Sequence, residues 1–348
     1  MIKVMKFGGG CLQDGRAFLK VGEIIGRQKK VAIVVSAVHG VTELLLDAIE
    51  QSKKSEKNIP AILVHLTQKH SVIIDELCLA PREKQRLLVA IASQLAQIKR
   101  LLTGIAYHSD LTPAVRAKLL SYGERLAARL LAGLLVSQGR KSRALDAHLI
   151  GIYTDENFKN ASIDRERTRK HFTTSVRPLL QGGIIPVISG FFGRGSSGSI
   201  TLLGRNGSDY SAAAVAYALK ANRLEIWKEV DGFMSTDPSM VETARQLERL
   251  SFAEAAELSY FGAKILHPRT VEPLAGTRTR LFVRNMNRPE KRGTEILSGK
   301  SGRDDVVASI TANRLLANIR VHGPGVGCKP GIMSDISSLL AAQQINIY

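Results

Sequence analysis

The chain has 348 residues, 44% apolar and 23% charged, which suggests two or so globular domains; no run approaches the roughly 20 apolar residues of a membrane helix, and the opening lacks a signal-peptide pattern. Cys11, Cys78 and Cys328 are far apart and show no metal-ligand spacing, so they argue against a disulfide framework or a zinc site and predict reduced thiols in a soluble, cytoplasmic protein. The formal net charge of +18 comes from dispersed basic residues without a recognition motif or aromatic platform, which disfavours nucleic acid and equally suits an anionic substrate such as a nucleotide.

In chain order, "IKVMKF" predicts a short strand that ends at Gly8, Gly9 and Gly10. "DGRAFLKVGEIIGRQ" follows with Phe18, Val21, Ile24 and Ile25 at helical spacing, and "KVAIVVSAV" is the continuous β-branched run of a strand buried on both faces. This is a βαβ opening, with ligand atoms expected beyond the strand C-termini. Residues 42–137 read as mainly helical. Strands are then expected at 183–192, 199–204, 223–230, 279–285 and 305–311, with a helix at 208–221. The sum is a large α/β domain with a mainly parallel sheet. Near residue 300 "LSGKSGRDD" reads as a polar linker, and the last stretch as strand, Gly-rich loop, amphipathic helix and the start of another strand. So small a β-α-β piece leaves its sheet open, which suggests part of a longer protein.

Four stretches carry potential chemistry. Lys6 with the glycines suits phosphate, since bare backbone amides approach phosphate oxygens and a lysine offsets transferred charge. The loop has neither the Walker pattern nor GxGxxG, so a plain glycine turn is an open alternative. In "SYGERLAARLL", Ser121 and Glu124 fit a capping box, or Glu124 is a carboxylate for a ligand amine. "LLGRNGSDYSAAA" places Arg205, Ser208 and Asp209 at one strand-to-helix switch, suited to a carboxylate, with helix capping by Asp209 as the bland reading. "WKEVDGFMSTDPS" and "LSYFGAKILHPRTVEP" add a turn-rich loop and, at Gly262 and Lys264, a second potential phosphate contact. His267 has no companion ligands for a metal.

Taken in order, KFGGG (6–10), VVSAVHGVT (34–42), SYGER (121–125), LLGRNGSDYSAA (202–213), DGFMSTDP (231–238) and FGAKILHPRT (261–270) resemble the aspartate kinases over nearly the whole chain. The kinase half of the fused aspartate kinase and homoserine dehydrogenase enzymes is included in that resemblance. It implies a three-layer α/β sandwich with a mainly parallel central sheet over 1–300, a linker and connecting strand at 301–312, and a partial ferredoxin-like ACT regulatory domain over 313–348. The implied reaction is phosphorylation of the L-aspartate β-carboxylate by ATP with Mg2+, giving 4-phospho-L-aspartate, the first step toward lysine, threonine and methionine. Lys6 and Asp209 are then catalytic, and Ser36, Thr42, Glu124, Phe191, Arg205 and Ser208 bind aspartate. Arg205 meets its α-carboxylate and Glu124 its α-amino group. Gly8, Gly9, Gly10, Lys228, Glu229, Gly232, Met234 and Lys264 serve the nucleotide. Mg2+ is expected on the ATP oxygens without protein ligands of its own. A homodimer or higher oligomer through ACT domains, under an end-product amino acid, is also implied.

The chain departs from the family at informative places. Gly10 and Cys11 stand for a Thr-Ser pair, Lys228 for threonine, Glu229 for aspartate, Met234 for a tyrosine and Ser239 for an arginine expected at the phosphates. Two readings therefore stay open: a working aspartate kinase with altered nucleotide contacts, in which Lys228 supplies the lost charge, and a catalytically weak or inactive homologue that binds an amino acid and regulates a partner. A kinase of glutamate, acetylglutamate or UMP is a third, which SYGER and the ACT piece disfavour.

Overall fold

The structure is a computed structural model that describes all residues except 109–110, 261–264, 300–301, 303–306, 308, 312–316, 324–325, 329, 344, 346 and 348. It divides into a unit Met1–Thr311 and a unit Ala312–Tyr348.

The first unit opens as the hydrophobic pattern requires. Strand β1 (Lys3–Phe7) ends in a short 3-10 turn at Gly9–Leu12, helix α1 (Gly15–Gly26) follows, and β2 (Val31–Val35) is buried at every position. Asp14 caps α1, its side chain accepting from the Ala17 amide at 2.8 Å. The helical stretch comprises α2 (Val41–Lys54), α3 (Ile59–Glu76), the 28-residue α4 (Pro81–His108), α5 (Pro113–Leu120) and α6 (Tyr122–Ser137). Then come β3 (Ser142–Leu145), α7 (Arg165–Ser175), α8 (Arg177–Gln181), β4 (Ile185–Ser189) and the hairpin of β5 (Phe192–Arg194) and β6 (Ile200–Leu202). Helix α9 (Gly207–Leu219), Ala-rich and buried along nearly all its length, packs on β1 and leads into β7 (Arg223–Lys228). The unit continues with β8 (Arg249–Ser251), α10 (Phe252–Tyr260), α11 (Pro268–Val271), β9 (Arg280–Asn285) and β10 (Thr294–Leu297).

Eight strands form one sheet in the order β3-β4-β2-β1-β7-β9-β10-β8. The first six run parallel, β10 is antiparallel to β9, and β8 is parallel to β10. The architecture is the expected mainly parallel α/β sheet. The chain leaves β1 toward β2 on one side and reaches β7 on the other, so the switch point lies at the C-terminal end of β1. Lys6 pairs in register with Val34 of β2 and Ile226 of β7 there.

Two local expectations change. Ser121 lies in helical dihedrals and its hydroxyl donates back to the Lys118 carbonyl at 2.7 Å, so it makes no capping box with Glu124. The last turn of α5 already supplies the carbonyls that a free helix start lacks, and a side-chain cap has nothing to satisfy. Asp209 does not cap either: Asn206, in the left-handed region at φ +54°, stands at that position. The strand expected at 305–311 falls partly outside the described residues. Within it, the Ser309 hydroxyl donates to the Met234 carbonyl at 2.9 Å and the Ile310 amide to the Ser235 carbonyl at 2.9 Å. In the second unit the described residues hold helix α12 (Ile332–Ala342), entered from Gly331 at φ +94°. The strands expected on either side of it lie partly outside the described residues. Among the described residues no helix is long and apolar enough to cross a membrane.

Candidate active site

The C-terminal ends of four neighbouring parallel strands surround a cavity of about 540 Å³. β1 supplies Lys6, the residue after β2 is Ser36, the segment after β4 holds Phe191, and β7 ends in Lys228. Backbone bonds splice these ends together: the Ser36 amide donates to the Phe7 carbonyl at 3.1 Å, that of Gly190 to Val35 at 2.9 Å, and that of Gly8 to Trp227 at 3.2 Å. The cavity brings together Lys6, Gly8, Gly9, Gly10, Ser36, Thr42, Glu124, Phe191, Arg205, Ser208, Asp209, Lys228 and Glu229, residues that span more than 220 positions of sequence.

At its floor Lys6 and Asp209 are both buried, and their Nζ and Oδ1 atoms lie 2.5 Å apart. Lys228 Nζ lies 3.4 Å from the other Asp209 oxygen. Burial alone works to raise the Asp209 carboxyl, but the Lys6 and Lys228 ammonium groups outweigh it and hold it below the ordinary carboxylate range. One carboxylate between two ammonium groups leaves a local positive excess, which an incoming anion would neutralise.

Glu124 reaches the cavity from the first turn of α6 and is buried. Burial pushes its carboxyl up from an ordinary value of 4.5 to about 8, against the opposing pull of its own and the Ala37 amides and of Lys6. Among the described residues its Oε2 atom has no hydrogen-bond partner. A buried acceptor without a donor is costly unless a ligand supplies one.

Two strained turns shape the opposite wall. Phe191 sits at φ +74°, a left-handed conformation costly for an aromatic residue. It is pinned by its amide, which donates to the Ser211 hydroxyl at 3.0 Å, and by its carbonyl, which accepts from the Leu203 amide at 2.8 Å. Gly204 at φ +77° and Asn206 at φ +54° then turn the chain into α9 and leave Arg205 exposed between them. That guanidinium makes no ion pair among the described residues, and its planar fork suits a carboxylate.

The glycine turn lies beside this cluster. Cys11, where sequence resemblance placed a hydroxyl, is buried and donates its thiol to the Trp227 carbonyl at 3.3 Å. Burial, with Glu229 second, pushes that thiol up to about 12, so it stays protonated and is no nucleophile, and its hydrogen is already given to Trp227. Gly10 faces the Glu229 carboxylate so closely that a Cβ there would overlap it. Among the described residues no group of three or more His, Cys, Asp or Glu side chains is arranged to hold a metal ion.

Two expected nucleotide residues are not gathered here. Gly232, at φ +103°, packs on Thr294, and Met234 bridges to Gln246, so neither lines the cavity; Lys264 lies outside the described residues. Ser239 bonds locally to Asp237, hydroxyl to carboxylate at 2.7 Å. Conversely, Ala37, Val38, His39, Gly40, Glu43 and Asn206 line the cavity without having been singled out. The signal for them was position, since each sits within or beside a stretch that follows a strand C-terminus.

Comparison with known proteins agrees with this arrangement. The amino acid kinase family profile matches residues 1–285. The chain is 30% identical, over 99% of its length, to lysine-sensitive aspartokinase 3 of Escherichia coli, of which it spans 75%. It is 33% identical to the chloroplastic aspartokinase 3 of Arabidopsis thaliana, spanning 61% of it, and 29% identical to the bifunctional aspartokinase/homoserine dehydrogenase of Buchnera aphidicola, spanning 42%. It therefore covers only part of several relatives. Among solved structures, E. coli aspartokinase III in complex with lysine and aspartate aligns with a TM-score of 0.86 at 27% identity, over 100% of this chain and 76% of that one. The same enzyme in complex with aspartate and ADP aligns at 0.81 and 26% identity, over 100% and 75%. The strand order, the lysine and aspartate at the switch point and these matches lead to one statement: the chain belongs to the amino acid kinase family and, within it, to the aspartokinases.

Proposed function

We propose that this chain transfers the γ-phosphoryl group of ATP to the β-carboxylate of L-aspartate. The observation that carries the proposal is the buried Lys6–Asp209 pair with the half-buried Lys228 beside a glycine turn, on a cavity where, among the described residues, Arg205 makes no ion pair and Glu124 Oε2 no hydrogen bond. Phosphoryl transfer between two anions demands positioning and charge neutralisation more than covalent chemistry. Arg205 takes the α-carboxylate, Glu124 the α-ammonium group, and Ser36, Thr42, Phe191 and Ser208 complete the pocket. Lys6 neutralises charge on the transferring group, and Asp209 holds Lys6 in place.

On the nucleotide side, the Gly8, Gly9 and Gly10 amides and Lys228 suit phosphate oxygens, with Lys264 a further contact proposed from sequence. Lys228 supplies the positive charge that Ser239, turned onto Asp237, does not. A Mg2+ ion, when bound with ATP, screens the phosphate charge. Glu229, exposed at the mouth of the cavity, is the carboxylate nearest the glycine turn able to contact it. We assign residues 313–348 to an ACT regulatory piece that pairs with a second copy and senses an end-product amino acid, in keeping with the lysine named for the E. coli enzyme. A cytoplasmic setting and an entry role in lysine, threonine and methionine synthesis follow from the same reading.

A coupled ADP-release assay with L-aspartate and MgATP, run beside a Lys6→Ala control, tests this. Aspartate-dependent turnover that vanishes in the control supports it. Absence of turnover in a folded protein that still binds aspartate calorimetrically establishes the second reading, a regulatory homologue. The position of Gly232, Met234 and Ser239 away from the cavity is what keeps that reading specific.

A further inference from the structure

We infer that Arg269 is a positioning residue for the loop that presents Arg205; the inference rests on the proposed aspartate site. Arg269 lies at the start of α11, in the "HPRT" stretch, and lines no part of the cavity itself. Its Nη2 donates to the Ala161 carbonyl at 2.7 Å and its Nη1 to the Leu203 carbonyl at 3.2 Å and to the Asn160 side-chain oxygen. Its guanidinium lies over the Tyr210 ring, 4.6 Å from the centroid. Leu203 and Tyr210 bracket the Arg205 turn, being the residues just before Gly204 and just after Asp209.

The Leu203 and Tyr210 contacts therefore each fix one border of the turn, and the Ala161 contact ties both to the neighbouring loop. Asn160, held by Arg269, sits 2.5 Å from where a Gly204 Cβ would lie, so it sets the floor under the left-handed Gly204. The His267 ring nitrogen accepts the Arg269 backbone amide at 3.2 Å and fixes the approach of the arginine. A lysine here could reach one of these acceptors but could not fork between two backbone carbonyls while covering a ring. Arg269 also lies five residues after Lys264, so one short segment joins the proposed nucleotide contact to the aspartate loop.

The test is steady-state kinetics of Arg269→Lys, with Asn160→Ala as a second variant on the opposite side of the same contact, each checked for an unchanged melting temperature. Loss of a charge-assisted hydrogen bond converts to about a tenfold effect. The expected result is a KM for aspartate raised about tenfold in Arg269→Lys and less in Asn160→Ala, with the KM for MgATP unchanged. An unchanged aspartate KM in both variants, or equal changes in both KM values, overturns the inference and leaves the proposed reaction standing. A wild-type protein with neither turnover nor aspartate binding overturns the proposed reaction and this inference with it.

Discussion

Strands β1 and β7 carry a buried charge cluster at each end, and the two clusters are built on opposite principles. At the N-terminal end Glu225, fully buried, draws Lys3, Arg223 and Arg284 to its Oε1 atom at 3.2, 2.7 and 3.5 Å, and the Trp227 indole donates to Oε2 at 3.1 Å. Arg223 and Arg284 also cover the Phe282 and Trp227 rings, at 3.7 and 4.4 Å. Three cations neutralise one carboxylate from within the fold, although its Oε1 atom and the Nε atoms of Arg223 and Arg284 make no well-aligned hydrogen bond among the described residues. At the C-terminal end, three residues along each strand, Lys6 and Lys228 share Asp209, while among the described residues neither Glu124 nor Arg205 makes an ion pair. The same sheet thus ends in a closed cluster that serves stability and an open one that has bonding capacity left for a ligand.

The largest expected effect breaks the open cluster. Lys6→Ala should cut aspartate-dependent turnover by about 10²- to 10³-fold, the scale for removing one preorganised charge from a reacting centre, and lower the melting temperature only in part, because Lys228 still faces the buried Asp209. Coupled-assay rates beside thermal unfolding check both halves. The closed cluster should behave in the reverse way. Glu225→Gln keeps the shape but strands three cations. They retain some contact with water, so the cost should fall at the low end of the range for breaking a buried pair, about 3 kcal/mol. Urea unfolding reads this as a lower midpoint at constant slope. Turnover per folded molecule should stay within a factor of about two, since among the described residues the partners of Glu225, namely Lys3, Arg223, Arg284 and Trp227, do not line the cavity.

Much of the closed architecture was legible in the sequence, and less of the open site. "KVAIVVSAV" announces a strand buried on both faces because β-branched runs have few other uses, and the periodic apolar face of residues 81–108 announces a long helix. That Lys6, Glu124, Arg205 and Asp209 share one cavity is a property of strand order, which local pattern does not contain; only resemblance to a family supplied it. Ser121 illustrates a local rule overridden by context, since the capping pattern is present but α5 runs directly into α6. Arg269 was invisible for a different reason. It acts on backbone carbonyls, and a carbonyl leaves no mark on the sequence that accepts from it.

Lys228 sharpens the comparison at intermediate size. If the positive excess at the open cluster serves the nucleotide, Lys228→Ala should raise the KM for MgATP about tenfold, as expected for one charge-assisted contact, while Asp209 keeps its ion pair with Lys6. The KM for aspartate should move less. Equal changes in the two constants would mean that Lys228 acts by holding Asp209 and not by meeting phosphate.

The smallest effect is a fraction of a proton at Glu124, and its sign is fixed by the direction of the shift. In the folded protein without ligand this carboxyl titrates near 8, against an ordinary value of 4.5. Between those values the folded state holds a proton that the unfolded state has released, so this group makes stability fall as pH rises through that window, the opposite of a salt-bridged carboxylate. An ammonium group brought against Glu124 favours the ionised form and lowers its pKa. Binding of aspartate near pH 7 should therefore release part of a proton, and the release should shrink toward zero above about pH 9, where the group is already ionised. Calorimetry in two buffers of different ionisation enthalpy measures it directly. In Glu124→Gln the release should vanish and aspartate affinity should lose its rise between pH 6 and about 8, because the neutral amide cannot gain the charge on which that rise depends. Proton uptake in the wild type would place the substrate's carboxylate, not its ammonium group, beside Glu124 and reverse the orientation of aspartate in the cavity.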